Sequence, residues 1–261
     1  MKQRIITAVL ALIIFIPTII YGQVPFLLLT ILIATIGLLE FIRASKLSTF
    51  IFPSIISLLF LWGLLLYSYN DSLFFVITGI ERSFLGLIII LLAYTVLSKN
   101  KFPFTKASML LLGTVYISIG FYFFIEVRNL GLQYLIFVLT TIWTTDSGAY
   151  FSGKFFGKRK LWPAISPNKT IEGAIGGLIL SVLLSIIFYS LQTFDVSLNI
   201  LIMYAIVISI GGQIGDLVAS ALKRHFSVKD FGTILPGHGG ILDRFDSLLF
   251  VLPILYVLQF M

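Results

Sequence analysis

Nine long apolar runs organise the chain, at residues 5–21, 26–42, 50–69, 83–98, 107–125, 132–150, 173–192, 199–222 and 246–260. Charged residues or Gly/Pro-containing turns separate them. A helix needs about 20 mostly apolar residues to cross the hydrocarbon of a bilayer. Each run is therefore expected to be a transmembrane helix. Leu73–Ile80 leaves two readings, a short interfacial helix or the start of the fourth span. Met1-Lys2-Gln3-Arg4 followed by apolar sequence from Ile5 has the look of a signal peptide. However, no small-x-small cleavage site follows, and Ile20-Tyr21-Gly22-Gln23-Val24-Pro25 reads as a turn, so an uncleaved first helix is expected.

Composition narrows the class. Mean hydropathy is +1.07, and the chain is 59% hydrophobic with 11% charged residues. Soluble domains carry roughly 25% charged residues, so both a soluble domain and a disordered chain are excluded. The expectation is an all-α, polytopic membrane protein, a single domain over residues 1–261. In that reading residues 1–130 form scaffold or lipid-groove helices, and residues 131–261 carry the active site. With no cysteine there is neither a disulfide framework nor a thiolate metal site. The net charge of +7 is better explained by bases gathered in cytoplasmic loops than by nucleic acid, which is not expected as a partner.

The bases test the helix count. With the N-terminus inside, the inner segments hold Lys2 and Arg4; Arg43 and Lys46; Lys99, Lys101 and Lys106. They also hold Lys154, Lys158, Arg159, Lys160 and Lys169, then Lys223, Arg224, Lys229 and Arg244, leaving outside only Arg82 and Arg128 of the 18 bases. This bias supports nine spans with the N-terminus cytoplasmic and the C-terminus outside. The same orientation gathers Asp146, Glu172, Asp216, Asp230, Asp243 and Asp246 at the cytoplasmic side. Acids contribute little to the topological rule, so their presence there points to a site.

Two polar blocks carry the candidate chemistry. In the first, Asp216, Ser220 and Lys223 fall at i, i+4 and i+7, one face of a helix if the eighth run continues through them. Lys223 and Arg224 alone would be a helix end with solvated bases, but Asp216 lies a turn or more inside. Asp243 and Asp246 at i, i+3 would present two carboxylates from a helix beginning near Leu242; capping is the plainer alternative. The turn Pro236-Gly237-His238-Gly239-Gly240 before them, bracketed by Lys229-Asp230 and Asp243-Arg244, is expected to let backbone N–H groups approach phosphate. In the second block, taken as the loop after the sixth span, Asp146 and Tyr150 share a face. Lys154, Lys158 and Lys169 can neutralise phosphate, and a helix starting near Thr170 offers free N–H groups to an anion. Carboxylates suit a hard cation such as Mg²⁺, and the bases suit the phosphates that accompany it. His225 is expected as an interfacial loop side chain, and Glu40, Pro17 and Pro53 as interfacial or structural residues.

The stretch Ser220–Asp246 resembles the C-terminal signature of phosphatidate cytidylyltransferases (CDP-diacylglycerol synthases), S-x-hydrophobic-K-R-x₄-K-D-x-G-x₂-hydrophobic-P-x-H-G-G-x₂-D-R-x-D, with every fixed position filled. Trp143–Gly153 and Ser166–Gly173 look like the family's W-x₂-D-x₂-A-Y-x₂-G and S-P-x-K-T-x-E-G stretches. The resemblance covers about residues 143–246; before it, only hydropathy agrees. It implies CMP transfer from CTP to phosphatidic acid, with membrane lipids around the site and a homodimer left open. On this reading Asp216, Lys223, Asp243 and Asp246 are catalytic, and Asp216, Asp243 and Asp246 hold Mg²⁺, with a second cation allowed. Substrate contacts fall to Asp146, Lys154, Lys158, Ser166, Asn168, Lys169, Thr170, Glu172 and Ser220. They fall also to Arg224, Lys229, Asp230, Gly237, His238, Gly239, Gly240 and Arg244. The rivals are a related CTP-using membrane enzyme, either a polyprenol kinase or an archaeal-lipid cytidylyltransferase, and a cation-coupled transporter using Asp146 and Asp216. A transporter expects midplane carboxylates and often repeats, whereas these acids cluster on one face and no repeat is evident.

Overall fold

The computed structural model describes residues 2–68, 79–191 and 194–258. Nine helices occur among these residues, close to the nine apolar runs. Five of them, Gln23–Ala44, Ile80–Leu97, Phe104–Leu130, Ile171–Ser190 and Leu198–His225, are long and apolar enough to cross a membrane. Most of Leu73–Ile80, through residue 78, lies outside the described residues. The chain divides into two compact units, Met1–Asn129 with Val228–Arg244, and Leu130–Ser227 with Phe245–Met261.

The first unit contains α1 (Lys2–Tyr21), α2 (Gln23–Ala44), α3 (Ile51–Tyr67), α4 (Gly79–Leu97) and α5 (Phe104–Leu130). Its core is aromatic and aliphatic, with Phe26, Leu38, Leu61, Leu110, Phe121 and Phe124 fully buried. The rings of Phe26 and Phe124 lie 5.0 Å apart. Gly113 lets the Phe41 ring lie directly on α5, in space that a Cβ would occupy. Arg128, one of the two bases left outside by the topology, closes α1: its Nε donates to Ile19 O at 2.5 Å and its Nη2 to Ile20 O at 2.9 Å. A cation on the last carbonyls of a helix satisfies groups that lack an intrahelical partner.

The second unit contains α6 (Leu132–Phe156), α7 (Ile171–Ser190), α8 (Leu198–Phe226) and most of α9 (Leu242–Val257). Beyond the apolar run that ends at residue 150, α6 continues unbroken to Phe156. Between α6 and α7 lies an antiparallel hairpin that an all-α reading does not anticipate, β1 (Lys160–Trp162) and β2 (Ser166–Thr170). Its register pairs Lys160 with Thr170 and Trp162 with Ser166. Likewise α8 continues to Phe226, so His225 belongs to its last turn with Lys223 and Arg224, where cations favour the helix dipole.

Small residues set the helix spacing in this unit. A Cβ on Gly148 would meet the Gly177 Cα at 3.0 Å, one on Gly177 would meet Thr145 O at 2.6 Å, and one on Gly173 would meet Ala149 O at 2.7 Å. Thus α6 and α7 touch backbone to backbone, the small-residue packing that membrane helices use where apolar burial gives no drive. On the other side of α8, a Cβ on Gly215 would sit 2.7 Å from the Phe250 Cβ and 3.0 Å from the Ser247 Cα. At Gly215, α8 is therefore pressed against α9 beside Asp246.

Candidate active site

These close contacts bring helix-borne polar groups together in the second unit. Lys169, delivered by β2, pairs with Asp216 of α8, its Nζ 2.5 Å from Oδ2. The same Nζ lies 3.4 Å from the Gln213 carbonyl oxygen. Ser220 Oγ donates to Asp216 Oδ1 at 3.5 Å, as their shared face on one helix predicts. Asp146 of α6 interacts electrostatically with Asp216 and Lys169. Asp246 of α9 does so with Asp216, Lys223 and Asp146. Four elements thus converge three carboxylates and two ammonium groups among apolar helices, an arrangement costly to keep without a charged ligand.

Beside this cluster opens a cavity of about 440 Å³, lined by Asp146, Tyr150, Lys154, Asn168, Lys169, Thr170 and Gln213, with Gly153 and Gly173 in its wall. Its wall depends on the close approach of α6 to the end of β2, since a Cβ on Gly153 would approach Thr170 Oγ1 to 2.9 Å. Gln213 carried no signal in the sequence. Its Nε2 lies 3.3 Å from the Ala174 carbonyl oxygen, which ties α8 to α7 at the cavity wall.

Other candidates take structural positions. Thr170 is the N-cap of α7, its Oγ1 accepting from Gly173 N at 3.1 Å. The Glu172 carboxylate accepts the backbone N–H groups of Lys158 at 3.0 Å and Arg159 at 3.2 Å, so it holds the entry to the hairpin. Lys158, Ser166 and Arg224 are not among the residues lining the cavity. Arg224 Nε lies 3.5 Å from Ile165 O.

In the first unit, residues 228–241 form an irregular segment that leads into α9. Leu235 N donates to Gly239 O at 3.0 Å and His238 N to Leu235 O at 2.9 Å. This tight turn needs Gly237 at φ +78° and Gly239 at φ +86°. Asp243 Oδ2 accepts from Phe231 N at 2.9 Å and Gly240 N at 3.0 Å. Ile241 N and Leu242 N donate to the two oxygens of Glu40, far away in α2. Of the turn expected to approach phosphate, the Gly240 amide is held by Asp243, and the adjoining amides of Ile241 and Leu242 by Glu40. Arg244 turns back onto the turn, its Nε donating to His238 O at 2.9 Å. Lys229 and Asp230 are exposed at its start.

Among the described residues no three His, Asp or Glu side chains form a cage able to hold a metal alone. Mg²⁺ does not require one, because it keeps several waters and takes one or two protein carboxylates plus substrate phosphate oxygens. Asp216 and Asp246, with Asp146 near, fit that donor set.

A largely helical fold with acids and lysines gathered at a cavity among apolar helices fits a membrane enzyme acting on phosphorylated substrates. The sequence profile of the cytidylyltransferase family matches residues 2–261. The chain is 49% identical over 263 residues to the phosphatidate cytidylyltransferase of Bacillus subtilis, covering 99% of this chain and 97% of that protein. It is 44% identical over 259 residues to that of Staphylococcus saprophyticus and 45% identical to that of Staphylococcus haemolyticus, each covering 99% of this chain and 98% of the relative. The chain belongs to the cytidylyltransferase family, as the three sequence blocks implied.

Proposed function

We propose that this chain transfers CMP from CTP to phosphatidic acid, giving CDP-diacylglycerol and pyrophosphate. The observation that carries the reading is the cavity in which Lys154, Asn168 and Lys169 adjoin the Asp146–Asp216–Asp246 cluster. The full-length likeness to phosphatidate cytidylyltransferases supports it. An oxygen of the lipid phosphate attacks the α-phosphorus of CTP, and the bond from that phosphorus to the β-bridging oxygen breaks, releasing pyrophosphate. No protein nucleophile is needed, so catalysis rests on positioning and charge neutralisation. Lys154, Lys169 and Lys223 neutralise phosphate oxygens, and Ser220 orients the Asp216 carboxylate. Lys158, Arg224, Lys229 and Arg244 are assigned contacts with the triphosphate, as the family resemblance implies.

Asp216 and Asp246 would hold Mg²⁺, with Asp243 proposed as their companion on its i, i+3 spacing; the ion supplies charge neutralisation at the triphosphate. All nine helices are proposed to span the cell membrane, with the N-terminus and the active site cytoplasmic and the C-terminus outside. A cysteine placed at position 158 of this cysteine-free chain should then be labelled only after the cells are opened; labelling in intact cells contradicts that topology.

Product analysis tests the reaction. Purified protein given CTP, Mg²⁺ and phosphatidic acid should form a lipid bearing cytidine and release pyrophosphate, with neither product when phosphatidic acid is omitted. Release of CDP with a newly phosphorylated lipid would instead identify a kinase and overturn the proposal.

A further inference from the structure

Glu40 stands apart from the reaction, yet it is only 4% exposed. A carboxylate is unfavourable in such surroundings unless its oxygens are hydrogen-bonded. Here Oε1 accepts from Ile241 N at 3.1 Å and Oε2 from Leu242 N at 2.9 Å. Those donors open α9, where backbone N–H groups have no intrahelical partner and negative charge is favoured. The neighbouring glycines answer to the same group. A Cβ on Gly240 would stand 2.5 Å from Glu40 Oε2, and one on Gly232 would overlap the carboxylate. With Asp243 Oδ2 holding Phe231 N and Gly240 N, four amides of residues 231–242 are tied to two carboxylates.

We propose that Glu40 is a positioning residue: its carboxylate fixes the course of residues 228–244, and Gly232 and Gly240 lack side chains so that it fits. The consequence for turnover rests on the proposed function, which gives Lys229, Asp243 and Arg244 of that segment roles in the reaction. The tie itself does not. Glutamine cannot replace Glu40, because its amide would set N–H groups against one of the two donors.

The test uses full-length protein in detergent. In Glu40→Gln, amide hydrogen exchange across residues 231–242 should speed by at least about tenfold while peptides of α6 to α8 exchange as in wild type. kcat should fall by roughly 10- to 100-fold, the scale expected for misplacement away from the chemistry, with KM for CTP changed by less than about threefold. Gly240→Ala should be equally harmful in wild type but add little to Glu40→Ala, because the colliding group is then gone. Should Glu40→Gln not fold, Glu40→Asp carries the same readouts with the charge kept and the reach shortened. Unchanged exchange in the segment, wild-type kcat, or additive effects of Glu40→Ala and Gly240→Ala would each overturn the proposal. If wild-type protein fails to consume CTP, the functional reading falls, and the exchange and additivity arms still decide the role of Glu40.

Discussion

The two compact units hold polar groups in an apolar chain by different means. In the second, Asp146, Asp216 and Asp246 project from regular helices, and their convergence follows from glycines that let α6, α7, α8 and α9 pack at backbone distance. In the first, the polar segment 228–241 has little regular structure and, with the first amide of α9, is held by two carboxylates that collect its N–H groups. A helix positions a side chain through its own hydrogen-bond ladder and needs only correct spacing from its neighbour. An irregular segment has no ladder, so each buried amide needs a separate partner. The first arrangement suits charges that must meet phosphate, whereas the second suits a turn that must not drift.

Removing the helix-borne acids should have the largest effect. Asp216→Asn and Asp246→Asn should each lower CDP-diacylglycerol formation by about 10²–10³-fold, the range for losing one preorganised electrostatic group, with the protein still folded by circular dichroism. Near-wild-type turnover in either variant would remove that residue from the site. Helix spacing comes next. Gly215→Leu should force α8 from α9 and cost about 1–3 kcal/mol of stability as overpacking, read as a lower unfolding temperature in detergent together with reduced turnover. A variant as stable as wild type would show that the close approach is not needed.

Lys169→Ala removes the partner of Asp216 and one base of the cavity. It should raise KM for CTP by about tenfold, the cost of one charge-assisted contact, whereas Lys101→Ala should leave KM unchanged. The smallest effect belongs to a contact of the first unit outside any site. Arg128→Ala uncaps α1 and should cost about 1 kcal/mol in thermal unfolding, with turnover per folded molecule retained.

Most of the helical frame was legible because apolar runs of spanning length leave few alternatives. The face shared by Asp216 and Ser220 was legible too, since spacing within one helix fixes it. Three things were not. The hairpin carries Ser166-Pro167-Asn168-Lys169-Thr170, a polar stretch with no strand alternation, and its strand state comes from pairing with residues 160–162. Glu40 was invisible as a partner of Ile241 and Leu242 because nothing local signals a contact across 201 and 202 residues. The same contact changes the meaning of the glycine turn. Its glycines suggested room for phosphate, and at Gly240 the room is taken by the Glu40 carboxylate. Gln213 was missed for a simpler reason, since a neutral amide inside an apolar helix stands out neither by charge nor by period.

On the proposed function, Asp216 and Asp246 hold a divalent cation together with the triphosphate. Mn²⁺, which accepts the same oxygen ligands as Mg²⁺, reports this directly through its electron paramagnetic resonance signal. Titrated into purified wild-type protein with CTP, Mn²⁺ should lose the signal of the hydrated ion beyond what CTP alone removes. Protein carrying both Asp216→Asn and Asp246→Asn should show no such additional loss. Equal additional binding by the wild type and the double variant would contradict the account.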